Sequence, residues 1–535
     1  MLPILKALAA LLLLNSVLSF ENWWPTPGIK LDTRLAPEFV ALWCVLLASV
    51  ALAGRLSSKS IAALSVGYLA LVVGRYGDVT VPALFGRSIN LYWDGYQVPI
   101  VLSVLARKVP WWVPLLIVLA IIALVWGLYR LIRWAIKTTA EQTAPRALTS
   151  PVAWLFSGAA LVLVAFNLAG EQATWPWVSK PVIPTYARQA HLLATALLPN
   201  QQQAVLPPSP AFDSDLASLK GTDVSIFFLE SYGATTLDNA QSRQTLAGSR
   251  AALARALAQS GQTVLSTLVR SPTFGGGSEL AHLGLLSGLD LSDPFRHDLL
   301  LTTQRPTLVS FFRKRGYQSF GLYPSLSWDW PEKSFYGYDA FVDERDLNYP
   351  GPQFGSWRVP DQYTIARFEQ MHPIGPDTPP RLLVFPTIMS HLPFAPVPPY
   401  QPNWTQLLSN QPFSEATAAH SLKFKPDWLN LTPDYLRSIA YTFDWLADYV
   451  QQPRRRDRVL VLLGDHQPAS SVSGRDAPWD VPVHVITSNP ELIKRLQASG
   501  LQPGLEPKRP IFGMMHEFTQ TLLDVFDSRY SSSGR

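Results

Sequence analysis

The chain has 535 residues, a net charge of +5, and a composition that is 48% hydrophobic but only 16% charged. Average soluble proteins carry roughly a quarter charged residues, so a membrane part joined to a soluble part is expected, in more than one domain. The positive charge comes with no dense Lys/Arg stripe or nucleic-acid motif, which argues against a nucleic-acid partner, and the only cysteine, Cys44, excludes an intramolecular disulfide and a cysteine metal cluster.

Most of the apolar excess lies before about residue 170, and candidate spans fall at about 3–20, 36–54, 61–74, 111–129 and 151–169. Each approaches the ~20 residues that cross a hydrocarbon core of about 30 Å. Val113 to Tyr129 carries no charge and is flanked by Trp111, Trp112, Trp126, Tyr129 and Trp134, an aromatic belt at both ends. The stretch Val98–Ala106 is too short to span and is expected at the interface or in a short buried helix. Arg55 and Lys59 follow the second span, and Arg130, Arg133, Lys137 and Arg146 follow the fourth. With both loops cytoplasmic, residues beyond 170 lie outside the membrane.

The expected domains are a five-span part over 1–170, a juxtamembrane segment and linker over 171–220, a soluble domain over 221–527 and a disordered tail over 528–535. The linker reading rests on Pro199 to Pro210, rich in Pro and Gln. Beyond it, strand-like runs at 224–229, 263–268, 318–323, 382–388, 458–463 and 482–487 alternate with helical patterns such as Thr307–Arg315 and Pro433–Val450. The predicted fold class is a membrane α-helical bundle plus an α/β domain with a mostly parallel sheet sandwiched by helices.

In such a sheet, ligands gather at the carboxyl ends of the strands. Glu230 closes the run Val224–Leu229, and Asp465-His466 close Val459–Gly464. Gly275-Gly276-Gly277 precede Ser278 at what reads as a helix start, where backbone N–H groups and the dipole favour an anion. Singly, Glu230 is also an ordinary strand-end acid and Ser278 an N-cap. Together, two carboxylates, an imidazole and a hydroxyl make a sensible site for one divalent cation and a serine nucleophile. His391 follows the run Leu382–Ile388 and either reaches the same rim or is a loop histidine. His282 and His484 read as structural. The aromatic cluster Trp328, Trp330, Phe335, Tyr336 and Tyr338 reads either as packing or as a substrate-binding rim, with Trp328 its candidate contact.

Phe-Leu-Glu230-Ser-Tyr-Gly, Gly-Gly-Gly-Ser278-Glu-Leu-Ala, Ser-His391-Leu-Pro-Phe and Leu-Leu-Gly-Asp465-His466-Gln-Pro resemble the sulfatase-like branch of the alkaline phosphatase superfamily. With five spans ahead of them, they resemble its lipoteichoic acid synthase and phosphoglycerol transferase group. The resemblance implies that Glu230, Ser278, Asp465 and His466 bind one divalent metal ion (Mn, Mg or Zn). It makes Ser278 the nucleophile, where threonine is usual, and His391 a contact to the phosphoryl or leaving group. It further implies a multi-pass protein of a bacterial cytoplasmic (inner) membrane with its catalytic domain on the periplasmic or extracellular side. The implied reaction moves phosphoglycerol or phosphoethanolamine from a phospholipid donor to an envelope glycan or lipid acceptor. Alternatives are a metal-dependent phosphodiesterase or sulfuric ester hydrolase, and a catalytically inactive membrane binding protein. Before Gly337-Tyr338-Asp339 the chain reads Trp328-Asp329-Trp330, without the arginine of the synthases, and no Cys/Ser-x-Pro-x-Arg motif of true sulfatases is present.

Overall fold

The computed structural model describes residues 2–24, 26–85, 88–89, 91, 95, 110, 112–169, 177–197, 206–327, 330 and 332–530. The stretch 98–106, the first part of the Pro/Gln segment, Trp328 and the last five residues of the expected tail lie outside them. Two compact units emerge, Met1–Leu84 with Ser88–Pro199, and Phe85–Arg87 with Asn200–Arg535.

In the first unit all five expected apolar segments are helical: α1 (Leu2–Ser19), α2 (Pro37–Ala53), α3 (Ser58–Phe85), α4 (Trp112–Thr138) and α5 (Pro151–Ala169). By length and composition, Ser58–Leu84 and Trp112–Leu148 are long and apolar enough to cross a membrane, and the apolar stretches of the other three helices are shorter. Leu14 and Leu18 of α1, Leu46 of α2 and Ile132 and Ile136 of α4 close a common core. By contrast Leu115, Leu116, Ile117, Val118 and Leu119 are exposed, an apolar surface suited to lipid. A further helix, α6 (Ile183–Leu197), has no counterpart among the expected elements. Its first N–H, on Ile183, donates to the buried carboxylate of Glu38 at 3.1 Å, which satisfies a helix end without a local cap.

In the second unit the six expected strand runs all form, within a nine-stranded sheet among the described residues. In chain order the principal elements are β1 (Asp223–Leu229), α7 (Ala240–Gln259), β2 (Thr263–Arg270), α8 (Ser278–Ser287), α9 (Leu308–Lys314), β3 (Gln318–Tyr323) and β4 (Ala340–Asp343). There follow α10 (Asp361–Met371), β5 (Arg381–Pro386), α11 (Thr432–Tyr449), β6 (Arg458–Gly464), β7 (Asp480–Thr487) and α12 (Phe518–Phe526). Across the sheet the labelled strands run β2-β7-β6-β1-β5-β3-β4. From β6 to β4 the pairing is parallel, whereas β7 lies antiparallel to both β6 and β2. Only a four-residue helix, Ser470–Ser473, interrupts the β6–β7 connection. That is too little for a crossover, so the chain returns in the opposite sense.

Alternation along β1 feeds two cores. Phe227 and Leu229 pack with residues of α7, α10 and α11, and Val224, Ile226 and Phe228 with residues of α8, α9 and α12. Side chains at successive strand positions leave on opposite faces, so a strand apolar throughout needs cover on both. The segment before β1 also belongs to this body: Leu216 and Leu219 are buried, and the Ser218 N–H donates to the Phe526 carbonyl at 3.1 Å. Part of the expected tail is likewise held. Ser528 N–H donates to Asp215 at 2.8 Å, and the Tyr530 hydroxyl donates to the Arg495 carbonyl at 3.1 Å.

Candidate active site

β1 and β6 are neighbours in parallel register, with Leu229 opposite Gly464. The next residue of each chain is therefore Glu230 and Asp465, side by side at the strand ends. Gly464 permits this closeness, since a Cβ there would fall 1.9 Å from the Tyr232 carbonyl oxygen. Glu230, Asp465 and His466 are all buried, and one donor atom from each lies within 4.8 Å of the others.

The third piece arrives from α8. Gly275, Gly276 and Gly277 have φ of 65°, 138° and 76°, a left-handed run that glycine alone adopts without steric cost. It turns the chain so that Ser278 opens the helix with its Oγ 3.2 Å from His466 Nε2 and 3.4 Å from Glu230 Oε2. Three segments distant in sequence thus meet at one point, with the hydroxyl at the amino end of a ten-residue helix.

Backbone donors hold the carboxylates in place. Asp465 Oδ1 accepts from Ser231 N–H at 2.8 Å and His466 N–H at 2.7 Å. Ser231 Oγ donates to Glu230 Oε1 at 2.8 Å. The other Asp465 oxygen, Oδ2, is buried with no hydrogen-bond partner, which is costly unless something positive occupies the space beside it. His466 Nδ1 donates to the Gln467 carbonyl at 2.7 Å, so the lone pair of the neutral ring sits on Nε2 and faces the cluster. Hard oxygens with one imidazole nitrogen fit Mn, Mg or Zn. Burial, and after it the charge of Glu230, pushes the Asp465 carboxyl up to about 6. For His466 burial opposes protonation, but Asp465 and Glu230 outweigh it and raise the imidazole.

Sequence reasoning missed the residues that brace these ligands. Thr387 Oγ1 accepts from Glu230 N–H at 3.0 Å, Ser390 Oγ donates to the Glu230 carbonyl at 2.6 Å, and Ser271 Oγ donates to the Asp465 carbonyl at 2.5 Å. The Tyr435 hydroxyl of α11 donates to the Ser231 carbonyl at 2.9 Å, and Asp361 of α10 accepts the N–H groups of Ile388 and Met389. Only adjacency gave a signal: Ser231 follows Glu230, and Ser390 precedes His391.

His391 lies in the turn after β5 that Thr387 and Ser390 fasten to Glu230. Its Nδ1 bonds the Leu392 carbonyl at 2.8 Å, and its ring meets Trp357 edge-on at 5.9 Å. His282 is buried against Phe228, ring centroids 4.4 Å apart. His484 is a core histidine, with Nδ1 against Ser266 Oγ at 2.6 Å and Nε2 against the Tyr232 hydroxyl at 3.1 Å; burial pushes it down to about 3. Of the aromatic cluster, the described members pack on one another: Tyr336 and Tyr338 stack at 5.7 Å, and Trp330 lies 5.4 Å from both Tyr323 and Tyr336; Trp328, the candidate contact, lies outside the described residues.

Residues 285–489 match the family model described as Sulfatase. The matched range includes His391, Asp465 and His466 and begins just after Ser278. Solved structures with a similar arrangement include a protein in the alkaline phosphatase superfamily from Vibrio parahaemolyticus, at 18% identity and a TM-score of 0.35. That match covers 53% of this chain and 63% of the other, less than two thirds of its length. A zinc complex of the C-terminal periplasmic domain of EcEptC from Escherichia coli aligns at 15% identity and a TM-score of 0.38, covering 61% and 88%. The Streptococcus pyogenes phosphoglycerol transferase GacH, in complex with sn-glycerol-1-phosphate, aligns at 14% identity and 0.34, covering 66% and 87%. A search of the curated proteins finds no match.

Proposed function

We propose that this chain is a membrane-anchored, metal-dependent transferase that moves a phospho-alcohol headgroup from a membrane phospholipid to an envelope glycan or lipid. The carrying observation is the convergence of Glu230, Asp465 and His466 on the Ser278 hydroxyl, at 3.2 Å from His466 Nε2. The match of residues 285–489 to a sulfatase model supports ester chemistry at phosphorus or sulfur. Glu230, Ser278, Asp465 and His466 would hold one divalent cation, which supplies Lewis-acid stabilisation of the serine alkoxide. Five apolar helices support a multi-pass anchor, with the catalytic domain outside the cytoplasm on the strength of the basic loops.

In this reading Ser278 Oγ attacks the phosphorus of the donor. The Oγ–P bond forms as the serine proton passes to solvent, the P–O bond to diacylglycerol breaks, and the departing oxygen takes a proton from solvent, so diacylglycerol leaves as an alcohol. The acceptor hydroxyl then displaces Ser278 from the phosphodiester, a two-step course. The α8 amino end lies where negative charge accumulates on the phosphoryl oxygens. His391, in the turn pinned to Glu230, contacts the phosphoryl or leaving group. A second reading, hydrolysis with water as acceptor, is favoured by the sulfatase model itself.

The test is to reconstitute the full chain in vesicles containing labelled phosphatidylglycerol or phosphatidylethanolamine, add Mn²⁺ and follow diacylglycerol. Diacylglycerol with the headgroup on an added glycan acceptor is expected. Free headgroup phosphate alone would establish the hydrolase, and diacylglycerol from neither lipid would refute both.

A further inference from the structure

Among the described residues of 206–530, four large apolar side chains are exposed: Tyr400, Phe424, Trp428 and Leu429. Three of them fall within six residues, with Trp428 65% and Leu429 91% exposed. Scattered apolar residues on a surface need no explanation, but a cluster of the largest ones does. The segment reads Lys423-Phe424-Lys425-Pro426-Asp427-Trp428-Leu429-Asn430, so two exposed lysines adjoin the apolar tip.

The tip is a built turn. Asp427 Oδ1 accepts the Leu429 N–H at 3.0 Å, the Asp427 carbonyl accepts the Asn430 N–H at 3.0 Å, and the Asp427 N–H donates to Asp434 Oδ2 at 3.1 Å. Arg437 reaches over the Phe424 ring, 5.7 Å from its centroid. The backbone polar groups at the tip are thus partly satisfied within the turn, and Trp428 and Leu429 project from it.

Its place on the domain matters most. The turn leads into α11, and in the first turns of that helix Tyr435 bonds the Ser231 carbonyl beside Glu230. The apolar tip and the Ser278 cluster therefore share the pole of the sheet at which β1 and β6 end.

We propose that Phe424, Trp428 and Leu429 dip into the interfacial layer of an anionic bilayer while Lys423 and Lys425 pair with its lipid phosphates. The charge pattern selects this occupant. Tryptophan with an aliphatic tip is suited to the headgroup boundary, and flanking lysines gain from a negative surface. A protein partner would match the apolar area equally well but gives no role to two lysines beside it. The inference deepens the reading above, because the contact holds the serine's pole against the layer that contains the donor headgroup.

The test reads position rather than turnover, so a chain that transfers no headgroup still reports the contact. An environment-sensitive fluorophore is attached to Leu429→Cys in a Cys44→Ala background, and to Glu415→Cys as an exposed control. The full chain is reconstituted in vesicles of phosphatidylethanolamine and phosphatidylglycerol at about 7:3. Quenching by headgroup-proximal spin-labelled lipid at least threefold stronger at 429 than at 415 is expected, with weaker quenching by aqueous iodide. Iodide quenching equal at the two sites overturns the proposal. Shielding of 429 from both quenchers also overturns it, since a protein surface then covers the tip. Lys423→Glu with Lys425→Glu should lower the lipid quenching at 429 at least twofold, and no change would refute the choice of an anionic surface.

Discussion

Gly464→Ala probes the link between the sheet and the active site. The added Cβ would sit 1.9 Å from the Tyr232 carbonyl oxygen, 2.8 Å from its carbon and 3.1 Å from Val481 Cβ. Two of these neighbours are backbone atoms of the turn that carries Glu230, so no side chain can rotate away. Relief requires the two strand ends to part by roughly 1 Å or more. Overpacking of this kind costs about 3 kcal/mol, which for a domain of this size lowers Tm by roughly 4–5 °C. The same parting moves Asp465 from Glu230, and a displacement of that order can cost about 100-fold in rate. Gly248→Ala is the control: it lies in α7 with nothing within 4 Å of the new Cβ, and should gain about 0.5–1 kcal/mol. Thermal unfolding of the full chain followed by tryptophan fluorescence, beside turnover of labelled lipid, checks both effects. A Gly464→Ala protein with unchanged Tm and activity would mean that the register of Leu229 with Gly464 does not set the site.

Ser278→Ala should lower turnover by about a thousandfold or more, roughly 4 kcal/mol of barrier, while Ser278→Thr keeps part of it; mass spectrometry of wild type given phospholipid should find the headgroup adduct on the peptide containing Ser278, and an adduct elsewhere would reject that nucleophile. His466→Ala should lose stoichiometric metal, counted on purified protein, while keeping the fold, because its ring bonds the Ser278 hydroxyl and the Gln467 carbonyl at the strand end and β6 keeps its ladder; retained metal and activity would reject the ligand set. His484 supplies the pH prediction. Its folded value of about 3 lies below the ordinary 6.5, so below pH 6.5 the unfolded chain binds the extra proton and stability falls as pH falls, by about 1.4 kcal/mol per pH unit. The cause is burial, and after it the nearby positive charge of Arg250; His484→Gln should flatten the denaturant midpoint between pH 6.5 and 5, and an unaltered slope would count against this. For topology, Glu415→Cys in the Cys44→Ala background should react with a membrane-impermeant maleimide in intact spheroplasts, and protection until lysis would invert the orientation.

What could be read from the sequence was whatever lies close along the chain. Unbroken apolar runs such as Val459–Leu463 marked strands buried on both faces, and an acid directly after a strand marked a site at its carboxyl end. The glycines before Ser278 signalled a turn into a helix for the same local reason. Pairing was not legible. That β7 returns antiparallel depends on the absence of a long helix between Gly464 and Asp480, and a missing feature gives no periodicity to read. The braces Thr387, Ser271 and Tyr435 were hidden because each lies on a different element and acts through one hydroxyl, a residue type common everywhere on a surface. The α6 helix escaped because its start is satisfied by Glu38, far away in sequence.

One consequence of the β1–β6 ladder reaches beyond this reaction. Glu230 and Asp465 are each one residue past a paired position, so the gap between them is the spacing of adjacent strands, about 4.8 Å, a length that the peptide ladder dictates and that side loops hardly alter. The size of the proposed ion cradle is then a property of the sheet. Loops around it, including the turn with His391, can lengthen, shorten or exchange residues without retuning the cradle. On the proposed reading, a protein built this way changes what it accepts by altering its rim while the chemistry at Ser278 stays the same.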